Sequence, residues 1–376
     1  RRGANVGNPA WFHSVSPCTM TGVVIAYAIG SAAKHRPTEF RTPLTAFNKE
    51  ASVKFRTLIT SALVAAAVIA PAIGFAQTKL KWAHVYETSE PYHTESVWAA
   101  AEIKKRTNGK FDIQVFPASS LGKETDINQG MTLGTVDMII SGPSFAARSY
   151  PRLGIAYYPF IFRDAAHQAA YSKSDVFKEM VDGYRAKTGI QMTAYTYYGA
   201  RHTTSNRPFN DCAGMKGLKI RVPDVPVYMA TPKACGANPT PIAFAEVYLA
   251  LQNGTVEAQE NPLTTIEAKK FYEVQKHIML TGHIVDGLVT QIAPHVWTKL
   301  SDAEKAIFTE VTREAAARAT AQIIKREGEL VEEFKKKGLN IVQVDRAGFQ
   351  QAVLKSTTLE SLGFDRKDYD RIQAAK

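Results

Sequence analysis

The run Glu246-Val247-Tyr248-Leu249-Ala250-Leu251-Gln252-Asn253-Gly254-Thr255-Val256-Glu257-Ala258-Gln259-Glu260-Asn261-Pro262 decides the fold. Apolar residues from Ala243 to Gln252 recur at helical spacing, and Asn253-Gly254 stops the helix because both residues tolerate left-handed backbone. Val256–Glu260 then reads as a buried strand that runs into Asn261-Pro262. A helix feeding a short apolar strand through a tight turn is the repeating unit of an α/β protein. Polar residues at the end of such a strand face the crevice where these folds bind ligands.

The same alternation extends outward on both sides. Lys79–His84, Phe111–Phe116 and Val136–Ser141 read as strands, with helices at Tyr92–Thr107 and Gly122–Leu133 between them. The spacing predicts one helix over Ala165–Thr188, closed by Gly189, and a strand over Ile190–Tyr197. A second set follows: a strand at Leu218–Val222, a helix at Val225–Cys235, a helical segment at Thr265–Gln275 and a strand at Ile284–Pro294. Ser301-Asp302-Ala303-Glu304 is a capping box, and the helix it opens continues to about Lys337, where Gly338 stops it. That helix would be roughly 54 Å long. It is long enough to brace two domains about a hinge; a kink at Gly328 within one domain is the alternative. Ile341–Val344 and Ala347–Leu359 complete the chain as a strand and a helix.

Composition narrows the function. Of the net charge of +11, residues 1–76 supply six units, from eight Lys/Arg and two acids. The excess over residues 77–376 is mild for a folded protein and gives no nucleic-acid footprint. Lys54 and Arg56, the apolar stretch Leu58–Ile73 and the small residues of Gly74-Phe75-Ala76 have the three-part layout of a secretory signal peptide cleaved before Gln77. Residues 1–52 read as an upstream extension and 53–76 as the signal, which places the mature chain in the periplasm. Cys212 and Cys235 are compatible with a bridge in that compartment, although two unbridged small hydrophobes are the simpler expectation. No Cys/His ligand spacing appears, so neither a metal nor a cofactor is expected. No GxSxG elbow, HExxH helix, P-loop or dinucleotide fingerprint appears, and the chain does not read as an enzyme.

Two further runs carry binding chemistry. In Gly217-Leu218-Lys219-Ile220-Arg221-Val222-Pro223, Arg221 ends a strand, and a guanidinium fork matches a carboxylate with two parallel hydrogen bonds. A surface salt bridge would suit the same residue equally well. In Tyr197-Tyr198-Gly199-Ala200-Arg201, Arg201 follows an apolar strand and what reads as a glycine turn.

These three runs, together with Phe116-Pro117-Ala118-Ser119-Ser120-Leu121-Gly122-Lys123-Glu124, resemble the DctP-type solute receptors of TRAP transporters over essentially the whole mature chain. The stretch from Gly199 to Ile284 is most similar to the sialic-acid-binding branch. The resemblance implies a two-lobed periplasmic-binding-protein-like α/β fold with a hinge and a long helix bridging the lobes. Lobe I would hold residues 77–199 and 287–326, and lobe II residues 200–286 and 327–376. It implies a monomer that binds a small-molecule carboxylate and delivers it to the small and large integral-membrane subunits. By position in the motifs, Arg221 makes the main ion pair to the ligand carboxylate. Arg201 serves the same region, Asn261 is the Asn of the Glu-Asn-Pro run, and Phe244 is an aromatic contact.

Elsewhere the chain departs from that branch. Its polar Asn falls on Val85, and its Glu after the third strand falls on Gly142, beside Ser144. Glu124 retains an acid. The ligand expected is therefore a smaller polyhydroxy acid, such as a uronate or aldonate. A dicarboxylate or keto acid is the alternative, but a second carboxylate needs a second cation, for which the first lobe offers only Lys123 and His84. A periplasmic sensor would need the same cleft. Of the aromatics, Tyr86, Tyr197, Tyr198, Phe244 and Tyr248 are candidates to wall the cleft, with Phe244 and Tyr198 chosen. Glu260 and His283 are expected to support Arg201 from behind, against the alternative that His283 is an ordinary core histidine.

Overall fold

The structure, a computed structural model, describes residues 77–376. The expected upstream extension and signal peptide lie outside the described residues. The first half of the fold is β1 (Thr78–Ala83), α1 (Pro91–Arg106), β2 (Phe111–Phe116), α2 (Glu124–Leu133), β3 (Met138–Ser141) and α3 (Pro143–Ala146), followed by α4 (Ala165–Lys173) and α5 (Asp175–Thr188). The long strand β4 (Gln191–Ser205) leads to β5 (Lys219–Val222), α6 (Ala230–Ala234), β6 (Asn238–Pro241), α7 (Val247–Gln252), β7 (Ala258–Pro262) and α8 (Leu263–Ala268). A second long strand, β8 (His277–Ile292), precedes α9 (Pro294–Trp297), α10 (Asp302–Lys336), β9 (Asn340–Val342), α11 (Arg346–Ser356) and α12 (Arg366–Gln373).

The strands form one mixed sheet in the order β2-β1-β3-β8-β4-β7-β5-β6, with β9 added to β8. Two parallel wings, β2-β1-β3 and β7-β5-β6, flank the antiparallel pair β4 and β8. Gln191–Tyr197 of β4 pairs with Gly287–Ile292 of β8, near the first wing. Arg201–Ser205 pairs with β7 of the second wing. Between these stretches the β4–β8 register slips at Tyr197/Gly199 and again at Arg201/Thr203. At the second slip Leu280–His283 bulges out of β8 opposite the single residue His202.

The sequence underestimates both long strands. Gly199 looks like a turn, but it occupies a bulge at φ +125° inside β4, and the strand continues through Arg201 to Ser205. Any side chain there would meet the Glu327 carboxylate and Pro262 within 2.7 Å. The expected helix over 165–188 is instead α4 and α5, because Ser174 is extended and its hydroxyl caps the Phe177 N–H. Two further helical expectations begin as 3-10 turns, at Pro226–Met229 and Phe244–Glu246. Cys212 and Cys235 are bridged, correcting the unbridged expectation, with their Cα atoms 4.8 Å apart. The tight turns at Ala213–Met215 and Gly236 bring together two cysteines whose separation in sequence carries no geometry.

α10 forms as the capping box requires. The Ser301 hydroxyl accepts the Glu304 N–H, and the Glu304 carboxylate accepts the Ser301 N–H at 2.8 Å. Its 35 residues run unbroken past Gly328. Phe308, Val311 and Ala315, in its first half, pack on the core of the first wing with Leu80, Trp82, Phe111 and Ile292. Ile323, Leu330 and Phe334, in its second half, join the central core with Phe271. A third core, including Leu218, Ile220, Cys235, Ala258, Phe349 and Val353, underlies the second wing. Among the described residues no helix is long and apolar enough to cross a membrane.

Candidate functional site

The carboxyl ends of both parallel wings converge on one enclosed space. Val85 and Tyr86 follow β1, Glu124 opens α2, and Gly142 follows β3. From the other wing come Arg221 and Pro223 at the end of β5, Phe244 after β6 and Asn261 at the end of β7. Tyr198 and Arg201 of β4, with Asp286 and Leu288 of β8, form the floor. These walls, with Phe145 and Tyr228, line one tight space.

The two arginines are partnered differently. Arg201, 2% exposed, spends its donors on the protein. Its Nε and Nη2 clasp both carboxylate oxygens of Glu260, Nη2 also reaches Asn261 Oδ1 at 3.3 Å, and Nη1 meets Asp286 Oδ2 at 2.8 Å. Burial opposes that charge, but the ion pair with Glu260 outweighs it and the guanidinium is held firmly protonated. Glu260 feels the same contest. Burial raises its pKa, while Arg201 and the His283 hydrogen bond bring it down to about 2.

Arg221 is equally buried, yet only its Nε is engaged, donating to Ile242 O at 3.0 Å. Its Nη1 and Nη2 have no hydrogen-bond partner among the described residues, and the Phe244 ring lies 6.0 Å from its central carbon. Burial lowers its pKa to about 10, with Glu260 and Glu124 pulling the other way, so it remains a cation at neutral pH. A guanidinium edge that opens onto this space with four uncommitted N–H groups calls for an anion with paired acceptors.

Glu124 keeps some exposure as a residue, but its carboxyl group is enclosed beside the Ser141 hydroxyl at 3.4 Å. Burial lifts its pKa to about 7, against the opposing pull of Arg221. Asn261 is fixed from both sides, its amide N–H donating to Gln259 Oε1 at 2.6 Å. Tyr198 turns its hydroxyl toward Asn261 and accepts a hydrogen bond from Thr265 at 3.0 Å. Behind Glu260, His283 Nε2 lies 3.2 Å from the carboxylate, and its Nδ1 meets the Thr281 hydroxyl at 2.8 Å.

The structure thus gathers Arg221, Arg201, Asn261, Phe244, Glu124, Tyr198 and Val85 around one space, with Glu260 and His283 behind Arg201. Ser144 lies one layer back, its hydroxyl 3.3 Å from that of Tyr228. Tyr86 is a wall, but Tyr197 turns away to donate to Glu327 and Tyr248 donates to Glu273 at the surface. His84 is buried against His93 and its pKa falls to about 3, so it offers no charge. Lys123 is exposed outside the enclosed space. The sequence reading missed Asp286, Tyr228 and Phe145. Asp286 had a readable signal: it is a lone acid in the apolar run Ile284-Val285-Asp286-Gly287-Leu288-Val289. Gly142 has a structural reason, since a Cβ there would lie 2.9 Å from the Tyr157 hydroxyl. Among the described residues no group of three or more His, Cys, Asp or Glu is placed to hold a metal ion.

Comparison with known proteins identifies the family and the fold. Residues 82–359 match the DctP family, described as bacterial extracellular solute-binding protein, family 7. The sialic acid-binding periplasmic protein SiaP of Vibrio cholerae is 34% identical over 278 residues, covering 74% of this chain and 87% of SiaP. A TRAP periplasmic solute binding protein from Polaromonas sp. JS666, solved bound to D-erythronate, superposes with a TM-score of 0.76 at 31% identity, covering 80% of this chain and 99% of that one. Another from Roseobacter denitrificans, with bound L-galactonate, superposes with a TM-score of 0.74 at 31% identity, covering 80% and 98%.

Proposed function

The chain belongs to the DctP family of bacterial extracellular solute-binding proteins, the periplasmic receptors of TRAP transporters, and from that premise we propose that it captures a short, hydroxylated monocarboxylate and hands it to the transporter's small and large membrane subunits. It is a solute receptor and not an enzyme. The observation that carries the ligand class is the free Nη edge of Arg221, buried in an enclosed space. A ligand carboxylate lies across that edge, with Asn261 and Arg201 fixing the adjoining wall and Phe244 covering one face of the ligand.

Size and polarity narrow the ligand. The space is narrow in the present form, and Val85, Gly142, Phe145 and Leu288 give its far side few polar groups. That far side is where a large polyhydroxylated acid would need partners. A dicarboxylate is disfavoured because Arg201 and Arg221 are the only cations lining the space among the described residues, and Arg201 is already neutralised by two acids. Relatives of similar architecture hold D-erythronate and L-galactonate, which supports a hydroxylated acid.

Capture proceeds by closure. Residues 77–199 with 287–326, and residues 200–286 with 327–376, act as two lobes that swing about the β4 and β8 bulges. Contacts that cross between them beside the ligand space include Arg148 to Asp224 at 2.9 Å, Lys269 to Glu87 at 2.6 Å, Thr265 to Glu90 at 2.9 Å, and Ser144 to Tyr228. A ligand touching both lobes favours the closed form by the contacts it makes only there. Residues 53–76 direct secretion, in keeping with the periplasmic setting of the family. A thermal-shift and calorimetric screen of the purified chain against aldonates, uronates, dicarboxylates and keto acids tests the reading. A rise in melting temperature confined to short hydroxy monocarboxylates is expected. Preferential binding of dicarboxylates, or of no carboxylate at all, overturns it.

A further inference from the structure

We propose that Asp286 reads a hydroxyl group close to the ligand's carboxylate, so that the receptor selects hydroxy acids over their deoxy analogues. The inference rests on the carboxylate reading above and deepens it. Asp286 is 3% exposed, on the β8 floor of the enclosed space. Its Oδ2 is committed to Arg201 Nη1 at 2.8 Å, whereas its Oδ1 is buried without any protein donor among the described residues. The Tyr157 hydroxyl is close enough to ease the Asp286 charge, but its single proton goes to Gly287 O at 2.6 Å. Tyr228, another phenol near Asp286, has its hydroxyl 3.3 Å from that of Ser144.

Arg201 does not need this acid as its counter-ion. Glu260 already meets it with both oxygens and is stabilised as an anion by the contact. Asp286 is less well compensated, and burial pushes its pKa up to about 6. An under-solvated carboxylate oxygen on a residue that lines a ligand space is costly unless a bound donor completes it. The ligand's own carboxylate is claimed by Arg221, so the donor must be another group of the same small molecule. Because Asp286 shares Arg201 with the carboxylate region, that group sits within one or two carbons of the carboxylate. A hydroxyl can donate there, but a methylene or a ketone cannot. Sites built around a substrate hydroxyl discriminate strongly, since the analogue lacking it leaves a buried polar atom unpaired.

The test uses D-erythronate and 4-hydroxybutanoate, which share the carboxylate and the terminal hydroxyl and differ at carbons 2 and 3. Calorimetry on the full chain should show D-erythronate bound about ten- to hundredfold more tightly. Asp286→Asn keeps an oxygen for Arg201 but replaces the free acceptor with an amide donor, and it should shrink that ratio to a few-fold. If Asp286→Asn does not fold by circular dichroism and melting, Asp286→Ser takes its place. A ratio near one in the wild type, or an undiminished ratio in the variant, overturns the proposal and leaves Asp286 only as a counter-ion of Arg201. Failure of both acids to bind at millimolar concentration overturns the hydroxy-acid reading itself.

Discussion

The Glu327 carboxylate, on the long helix α10, accepts the backbone N–H of Ala200 at 2.9 Å, where β4 bulges at Gly199. The same carboxylate accepts the Tyr197 hydroxyl at 2.8 Å, and Thr320 one helical stretch earlier accepts the Tyr197 N–H at 3.1 Å. The helix therefore grips β4 at the point where its pairing passes from one wing to the other. The contact also explains why position 199 is glycine: at φ +125° an L side chain is strained, and its Cβ would lie 2.6 Å from Glu327 Oε1.

Gly199→Ala is expected to destabilise the protein by about 2–5 kcal/mol, combining backbone strain with overpacking. Glu327→Ala should cost about 2–4 kcal/mol, because it leaves the Ala200 N–H and the Tyr197 hydroxyl unpaired. Urea denaturation of each variant checks both values. A Gly199→Ala variant as stable as the wild type would show that the bulge relaxes freely.

The two arginines should fail in different ways. Arg221→Ala removes a guanidinium whose Nη groups hold nothing in the protein, so the fold should survive while carboxylate affinity falls by more than tenfold. Arg221→Lys should restore little, since an ammonium cannot reproduce the paired donors. Arg201→Ala strands Glu260 and Asp286 as buried, uncompensated acids and should cost about 3–5 kcal/mol of stability. Melting curves read beside calorimetric titrations separate these outcomes.

What the sequence made legible follows from what each signal is made of. The capping box at Ser301 and the left-handed stops at Gly134, Gly189 and Gly338 are local chemistry, and the helices end where those residues say. β4 is longer than read because Gly199 imitates a turn although it serves a bulge within the sheet, and β8 starts at His277, before the Leu280–His283 bulge, whereas its readable apolar run begins at Ile284. Arg221 and Arg201 were readable as residue types, but their division of labour was not. Which one keeps a free edge depends on Glu260 and Asp286, delivered by β7 and β8 from far along the chain. The Cys212–Cys235 bridge was equally unreadable, since it depends on how β5, β6 and their turns stack.

That bridge closes a loop between residues 23 apart that includes β5 and the Arg221 position. Reduction, or Cys235→Ala, is expected to lower stability by about 2–4 kcal/mol. The effect should appear as a lower denaturant midpoint under reducing conditions, and Cys212→Ala/Cys235→Ala should abolish that dependence.

Three buried acids give the protein a pH dependence whose sign follows from their environment. Burial lifts Glu124 and Glu90 to about 7 and Asp286 to about 6, each above its ordinary value. Through these acids the folded state binds extra protons between about pH 4.5 and 7, which lowers stability as pH rises; buried His84 and His202, both held at about 3, act in the opposite sense up to about pH 6.5, so the acids alone set the slope above that. Glu260, held at about 2, opposes this slope only near pH 4.5, where the unfolded chain still protonates it in part. The melting temperature of the ligand-free protein should thus be higher at pH 6.5 than at pH 8, and Glu124→Gln should reduce the difference. A ligand carboxylate beside Arg221 brings a further negative charge near Glu124, which raises its proton affinity again. Binding at pH 7 should take up a fraction of a proton, seen as buffer-dependent heats in calorimetry, and affinity should weaken above pH 7. Glu124→Gln should remove both the proton uptake and the pH slope, because the amide mimics the protonated acid at every pH.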